Sequence, residues 1–163
     1  MLTYLERVLS IEVRSATTDD IDGVGESSAA LFAEDGAARD RLRNREWPRS
    51  HGEQWCADLI DDPDALVLVA AAGEEIGGHL IGTFAAASAM WVAPRAELVS
   101  MFVTSRWRGQ GVGGRLVGDF RAWARSRGAA RLQVTAYATN EGALCFYQRH
   151  GFAPLSSELV VDL

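Results

Sequence analysis

"VTSRWRGQGVGGRLV", residues 103–117, decides how the rest of the chain is read. Four glycines fall within the seven residues from Arg108 to Gly114, with Arg106 and Arg115 on either side. Before them runs "AELVSMFVTS" (96–105), apolar and β-branched. After them Val112, Leu116, Phe120, Trp123 and Ala124 recur at helical spacing. The glycines therefore join a strand to an amphipathic helix. The first amides of a helix lack partners within it and carry the positive end of its dipole. Bare backbone lets a phosphate approach them closely. The turn reads as a phosphate or pyrophosphate cradle, since a turn built for geometry alone needs fewer glycines.

Two common phosphate motifs fail here. "GQGVGG" satisfies the dinucleotide fingerprint through Gly109, Gly111 and Gly114, but that fold needs an acidic residue about 20 positions on, and "LQVTAY" (132–137) has none. The nucleoside-triphosphate loop needs a lysine, and the chain contains no lysine.

Working outward, "IEVRSAT" (11–17) alternates as a strand with one exposed face. "TTDD" (17–20) supplies helix-capping residues before a first helix. A second helical region covers 39–60 and is expected to break near "WPRSHG". "ALVLVAAAG" (65–73) and "IGGHLIGTFAAA" (76–87) form a hairpin. "RLQVTAY" (131–137) is a strand, "TNEGALCFYQRHG" (139–151) a short helix, and "SELVVDL" (157–163) a last strand. The fold class is a mixed α/β (α+β) single domain over 1–163, with six or seven strands and about four helices.

Length and composition fit one soluble domain with one core. No apolar run is long enough to span a bilayer. The start, "MLTYLERVLSIEV", lacks the layout of a secretory leader, and a cytoplasmic location is expected. Cys56 and Cys145 follow no metal or redox spacing and read as packed free thiols. His51, His79 and His150 form no spaced set, so no metal site is expected; His79 reads as a packed sheet histidine. Net charge is −6, which argues against nucleic acid as a partner. Residues 1–75 hold 17 acids and 7 arginines, a balance of −10, while 76–163 hold 5 acids and 9 arginines, a balance of +4. A basic half suits an anion and an acidic half suits a cation.

The stretch Arg108-Gly109-Gln110-Gly111-Val112-Gly113 resembles the acetyl-CoA signature of the Gcn5-related N-acetyltransferases, Arg/Gln-x-x-Gly-x-Gly/Ala. "LVSMFV" (98–103) matches the strand that precedes it, and Asn140, Tyr147, Gly151 and Phe152 match, in order, the family's features that follow. The resemblance is specific over 97–153 and looser over 11–87. It implies acetyl-CoA as co-substrate, with an acetyl-CoA-binding core over about 97–153 and an acceptor side over about 1–90. Its pyrophosphate would sit on the amides of Arg108 to Gly114, including Gly109, Gln110, Gly111, Val112 and Gly113. The pantetheine arm would pair with Met101, Phe102 and Val103 as an added strand. A backbone amide there would stabilise the oxyanion of the reacting carbonyl. Tyr147 matches the general acid for the departing thiolate, against a plain reading as a packed helical tyrosine. Glu97 stands where several members carry an acid, and is the candidate base, directly or through water. Asn140 has two compatible readings, as a helix cap and as a contact to the cofactor arm. Trp107 covers the adenine or packs on the surface.

The implied acceptor is a cationic amine, a small molecule or a peptide, with neither nucleic acid nor membrane as partner and with a homodimer allowed. "LFAEDGAARDRLRNREWP" (31–48) offers Glu34, Asp35, Asp40 and Glu46 to such an amine, and Trp47 and Trp55 as an apolar wall. The plain alternative is a solvated helix face. A second function class remains open, a non-catalytic acyl-CoA-binding sensor or interaction module on the same fold.

Overall fold

The computed structural model describes residues 10–163. The first nine residues, read above for a leader, lie outside that range. Strand β1 (Glu12–Ser15) leads into a turn closed by Thr17 and Asp20, whose side chains cap each other's backbone. Arg14 donates to both carboxylate oxygens of Asp20, at 2.7 and 2.9 Å. That contact holds the Asp20 carboxyl below its ordinary range. Helix α1 (Ile21–Leu31) follows and widens into a π turn, Phe32–Gly36, with a last helical turn at Ala37–Arg39. Helix α2 (Trp47–Asp61) then precedes the hairpin of β2 (Ala65–Ala72) and β3 (Glu75–Ala85). Strand β4 (Arg95–Val103), helix α3 (Val112–Ser126), strand β5 (Arg131–Val134) and helix α4 (Glu141–Arg149) complete the order.

Among the described residues one sheet holds all five strands, in the order β1-β2-β3-β4-β5. Every pair is antiparallel except β4 and β5, which are parallel and joined across α3. Strand alternation sorts the core to two faces. Leu68, Ala70, Leu80, Ala96 and Leu98 pack against Val112, Leu116, Phe120 and Ala124 of α3. Val67, Val69 and Ile81 pack against Val24 of α1 and Cys56 of α2.

The expected four helices are present, and the strand count is lower than expected. Among the described residues "SELVVDL" pairs with nothing in the sheet, and Leu159, Val160, Val161 and Leu163 are exposed. Its alternation is strand-like, but a strand needs an edge to bind as well as a pattern. Pro48 begins α2 instead of breaking it, because proline's missing N–H is harmless in a first turn. Cys56 is buried as expected, and burial pushes its thiol up to about 11. Cys145 is exposed, contrary to the packed reading, because it sits on the outer face of α4.

Candidate active site

Strand β4 carries a bulge. Its register on β3 runs from Ile81↔Ser100 to Gly82↔Leu98, so Val99 is an extra residue. Toward β5, pairing covers only Arg95–Leu98. Beyond Leu98 the two parallel strands no longer hydrogen-bond, and β4 continues from Val99 to Val103 with its outer edge unpaired by β5. Met101, Phe102 and Val103 all lie on that open edge. An extended chain with its own amides and carbonyls is the natural partner for it.

The glycine turn closes the end of this gap, and its four glycines do two jobs. Gly109 and Gly111 adopt left-handed backbone, with φ +74° and +76°. Open space lies beside both, which any side chain would fill. Gly111 is the N-cap of α3 and offers no side-chain cap, so the first-turn amides of Val112, Gly113 and Gly114 face outward. Gly113 and Gly114 serve packing instead. A Cβ on Gly113 would come within 3.0 Å of Phe146 and 3.1 Å of Met101, and one on Gly114 within 3.2 Å of His150. Helix α3 thus begins close against both β4 and α4, which sets the width of the gap.

The arginines around the turn are engaged. Arg108 donates from Nε to the Val103 carbonyl at 2.8 Å and pairs with Glu34 at 2.7 Å. Arg106 pairs with Glu75, and Arg115 donates to the Ile11 carbonyl at 2.7 Å. Gln110 donates to the Arg106 carbonyl at 2.8 Å and braces the turn. Trp107 is 8% exposed and packs over Gly77 in the core. Its burial corrects the expectation that it packs on the surface.

Asn140 is the N-cap of α4, accepting from the Ala143 amide at 3.1 Å. Its Nδ2 donates to Asp35 at 2.8 Å. Tyr147 lies on the same helix, half-buried, with its ring edge-on to Phe146 and Phe152. Burial first, and the charge of Asp35 second, push its hydroxyl up to about 12. It stays protonated across the physiological range, so it can donate a proton and cannot act as a base there.

Glu97 is half-buried on β4, opposite Thr83 and Gln133. Its neighbours Ala96 and Leu98 face α3, so Glu97 points to the α1 face of the sheet. Tyr147 packs against the α3-face cluster. The two candidates thus flank the gap from opposite faces and form no hydrogen-bonded pair. Ser100 shares the α1 face with Glu97. Its hydroxyl lies 2.8 Å from His79 Nε2, and His79 Nδ1 lies 2.7 Å from the Ser27 hydroxyl. His79 is fully buried, and burial pulls it down to about 4, so it is neutral and fixes the Ser100 hydroxyl. Sequence reading placed His79 as a packed histidine and missed the two serines, which lie 52 and 21 positions away.

The acidic stretch is only in part a solvated face: among the described residues the Asp40 and Glu46 side chains bond only locally, to the Leu42 amide and to Arg49. Glu34 and Asp35 reach across to Arg108 and Asn140, and Asp35 also accepts from Arg39 at 2.6 Å. Trp47 stacks on Phe32 at 5.8 Å and meets Trp55 edge-on at 5.4 Å, so the two tryptophans belong to one aromatic cluster. Among the described residues no group of three or more His, Cys, Asp or Glu could hold a metal ion. No helix among them is long and apolar enough to cross a membrane.

Comparison with known proteins places this arrangement. A family profile described as "Acetyltransferase (GNAT) family" matches residues 34–152. Curated protein sequences contain no match. A solved structure of a transcriptional regulator from Bacillus halodurans C-125 is 28% identical, covers 94% of this chain and 100% of its own, and superposes with a TM-score of 0.74. An aminoglycoside N-acetyltransferase, AAC(6')-Iy, in complex with CoA is 14% identical, with 98% of both chains covered and a TM-score of 0.75. A ribosomal-protein-alanine N-acetyltransferase from Brucella melitensis biovar Abortus 2308 is 16% identical, covers 94% of this chain and 99% of its own, and gives 0.67.

Proposed function

This chain belongs to the acetyltransferase (GNAT) family, and from that premise we propose that it transfers an acetyl group from acetyl-CoA directly to a primary amine of a cationic small-molecule or peptide acceptor. The observation that carries the reading is the open β4 edge, Val99–Val103, ending at a glycine turn whose first-turn amides face outward. The edge fits an amide-bearing arm and the turn fits a pyrophosphate. A groove of about 490 Å³ lined by Gly114, Arg121, Arg149 and His150 lies beside the first turn of α3; Arg121 is held by the His150 carbonyl, and Arg149 offers a further cation to a polyanion. The CoA complex of AAC(6')-Iy supports the same ligand for a fold of this kind.

Acetyl-CoA supplies an activated thioester, so the chain needs no nucleophile of its own. Met101–Val103 would hold the arm, and Arg108 with the amides of Gly109 to Gly114 would hold the phosphates. Tyr147, protonated well above neutral pH, would donate to the departing sulfur. The amine must lose a proton before it attacks. Glu97, or a water held by Glu97 and the Ser100 hydroxyl, would accept it on the α1 face of the sheet.

One observation favours the second reading, a non-catalytic acyl-CoA module: the 28% identical structure is that of a transcriptional regulator. A thiol-release assay separates the two. Incubation with acetyl-CoA and a panel of polyamines, aminoglycosides and peptide amino termini should release CoA and give an acetylated amine by mass spectrometry. CoA binding without release for any amine would instead establish the non-catalytic module.

A further inference from the structure

Helix α1 does not end as an ordinary helix. At Phe32 it widens into a π turn, and single π turns are frequent at functional sites. The wide turn carries two consecutive acids out of the acceptor half. Glu34 pairs with Arg108 at 2.7 Å, on the loop that follows β4. Asp35 accepts from Asn140 Nδ2 at 2.8 Å, on the loop that follows β5. Arg39, one turn on, donates to the Thr139 carbonyl at 2.8 Å and to its hydroxyl at 3.1 Å. One stretch of six residues therefore ties together both lips of the gap, on Arg108 of the glycine turn and on Thr139 and Asn140 ahead of α4.

We propose that Glu34–Arg39 is a strap across the cofactor gap, anchored by Asp35 and Arg39 and latched by Glu34, whose carboxylate occupies Arg108 as a phosphate of the cofactor would, so that cofactor binding and release of the Glu34 latch are one event. The inference rests on the reading of the gap as a CoA site. A carboxylate and a phosphate oxygen make the same charge-assisted bond to a guanidinium. Arg108 and Glu34 side chains are 46% and 52% exposed, so the pair is a weak latch that a polyanion can displace. Release frees Glu34 at the mouth of the acceptor side, where it can meet an ammonium group. Asp35 stays near Tyr147, whose proton its charge already helps to retain. Thermodynamic linkage makes the coupling reciprocal: a cation that takes Glu34 frees Arg108 for phosphate. The two substrates then favour each other's binding through one carboxylate.

The test is calorimetric titration with CoA at low salt, using the parent, Glu34→Gln, and Glu26→Gln, which makes the same charge change on the exposed face of α1. S-acetylpantetheine, which lacks every phosphate, is titrated in parallel. Glu34→Gln should bind CoA about two- to fivefold more tightly, the range of an exposed ion pair. Glu26→Gln should leave CoA affinity unchanged, and S-acetylpantetheine should not distinguish parent from Glu34→Gln. Unchanged or weaker CoA binding by Glu34→Gln overturns the strap. So does an equal gain in Glu26→Gln, which would mean general charge repulsion, or an equal gain for S-acetylpantetheine. A parent protein that binds no CoA overturns the functional reading itself, and the strap with it.

Discussion

At the scale of single residues, the chemistry turns on protonation. In the proposed reaction the acceptor would be an alkyl amine, which with a pKa of ~10 is mostly protonated near neutral pH. Activity should therefore rise from about pH 6 toward 9 as free amine accumulates. A general acid of ordinary acidity would lose its proton toward the top of that window. Tyr147 is raised to about 12, so it keeps its proton throughout and the profile should show no falling limb below about pH 10. Tyr147→Phe preserves the ring packing on Phe146 and Phe152 and removes the donor. Turnover should fall about 10²–10⁴-fold. A loss under twofold, with chemistry limiting the rate, would remove Tyr147 from the mechanism.

His79 makes a separate residue-scale prediction. Its folded value, about 4, lies below the ordinary 6.5. The unfolded chain takes up a proton first as pH falls, so stability drops between pH 6.5 and 4. The full contribution is roughly 3 kcal/mol, at about 1.4 kcal/mol for each tenfold difference in proton affinity between the folded and unfolded chain. Denaturant melts at about pH 7 and about pH 4.5 should show that loss in the parent and a smaller one in His79→Gln. Equal losses would place the acid sensitivity elsewhere.

At the scale of elements, much of the fold is legible in the sequence because strand and helix periods are local. The hairpin, the amphipathic stripe of α3 and the turn glycines all announce themselves within a few residues. Local signals carry no information about partners. The Asp35–Asn140 bond spans 105 positions and the Arg39–Thr139 bond 100, and neither leaves a trace in spacing. Trp107 sits in a glycine-rich turn and reads as a surface residue; its burial depends on bare backbone at Gly77 of β3. Likewise, "SELVVDL" has the alternation of a strand and no strand partner among the described residues. The bulge at Val99, which opens the gap, is equally silent in "LVSMFV".

Packing between elements can be tested at two glycines. A Cβ on Gly82 of β3 would lie 2.4 Å from Phe120, which α3 buries fully against the sheet and which cannot yield cheaply. Gly82→Ala should cost about 1–3 kcal/mol through overpacking. Gly118 on the exposed side of α3 has open space around it. Gly118→Ala should stabilise by about 0.5–1 kcal/mol through helix propensity alone. Chemical denaturation of both variants checks the pair, and opposite signs are required.

At the scale of the whole molecule, the charge division acquires a structural meaning. The basic half builds α3, the glycine turn and the groove at Arg121 and Arg149, while the acidic half builds α1, α2 and the Glu34–Asp35 turn. A polyanionic donor and a cationic acceptor would each meet the half that attracts it. The claim beneath everything else is that CoA lies along the open β4 edge with its phosphates on the glycine turn. Amide chemical-shift mapping of the labelled protein during a CoA titration tests this residue by residue. Saturable shifts should concentrate at Val99–Val103, Gly109–Gly114 and Asn140, with accompanying shifts at Glu34 and Asp35. Shifts confined to other surfaces, or no saturable shift at all, would contradict it.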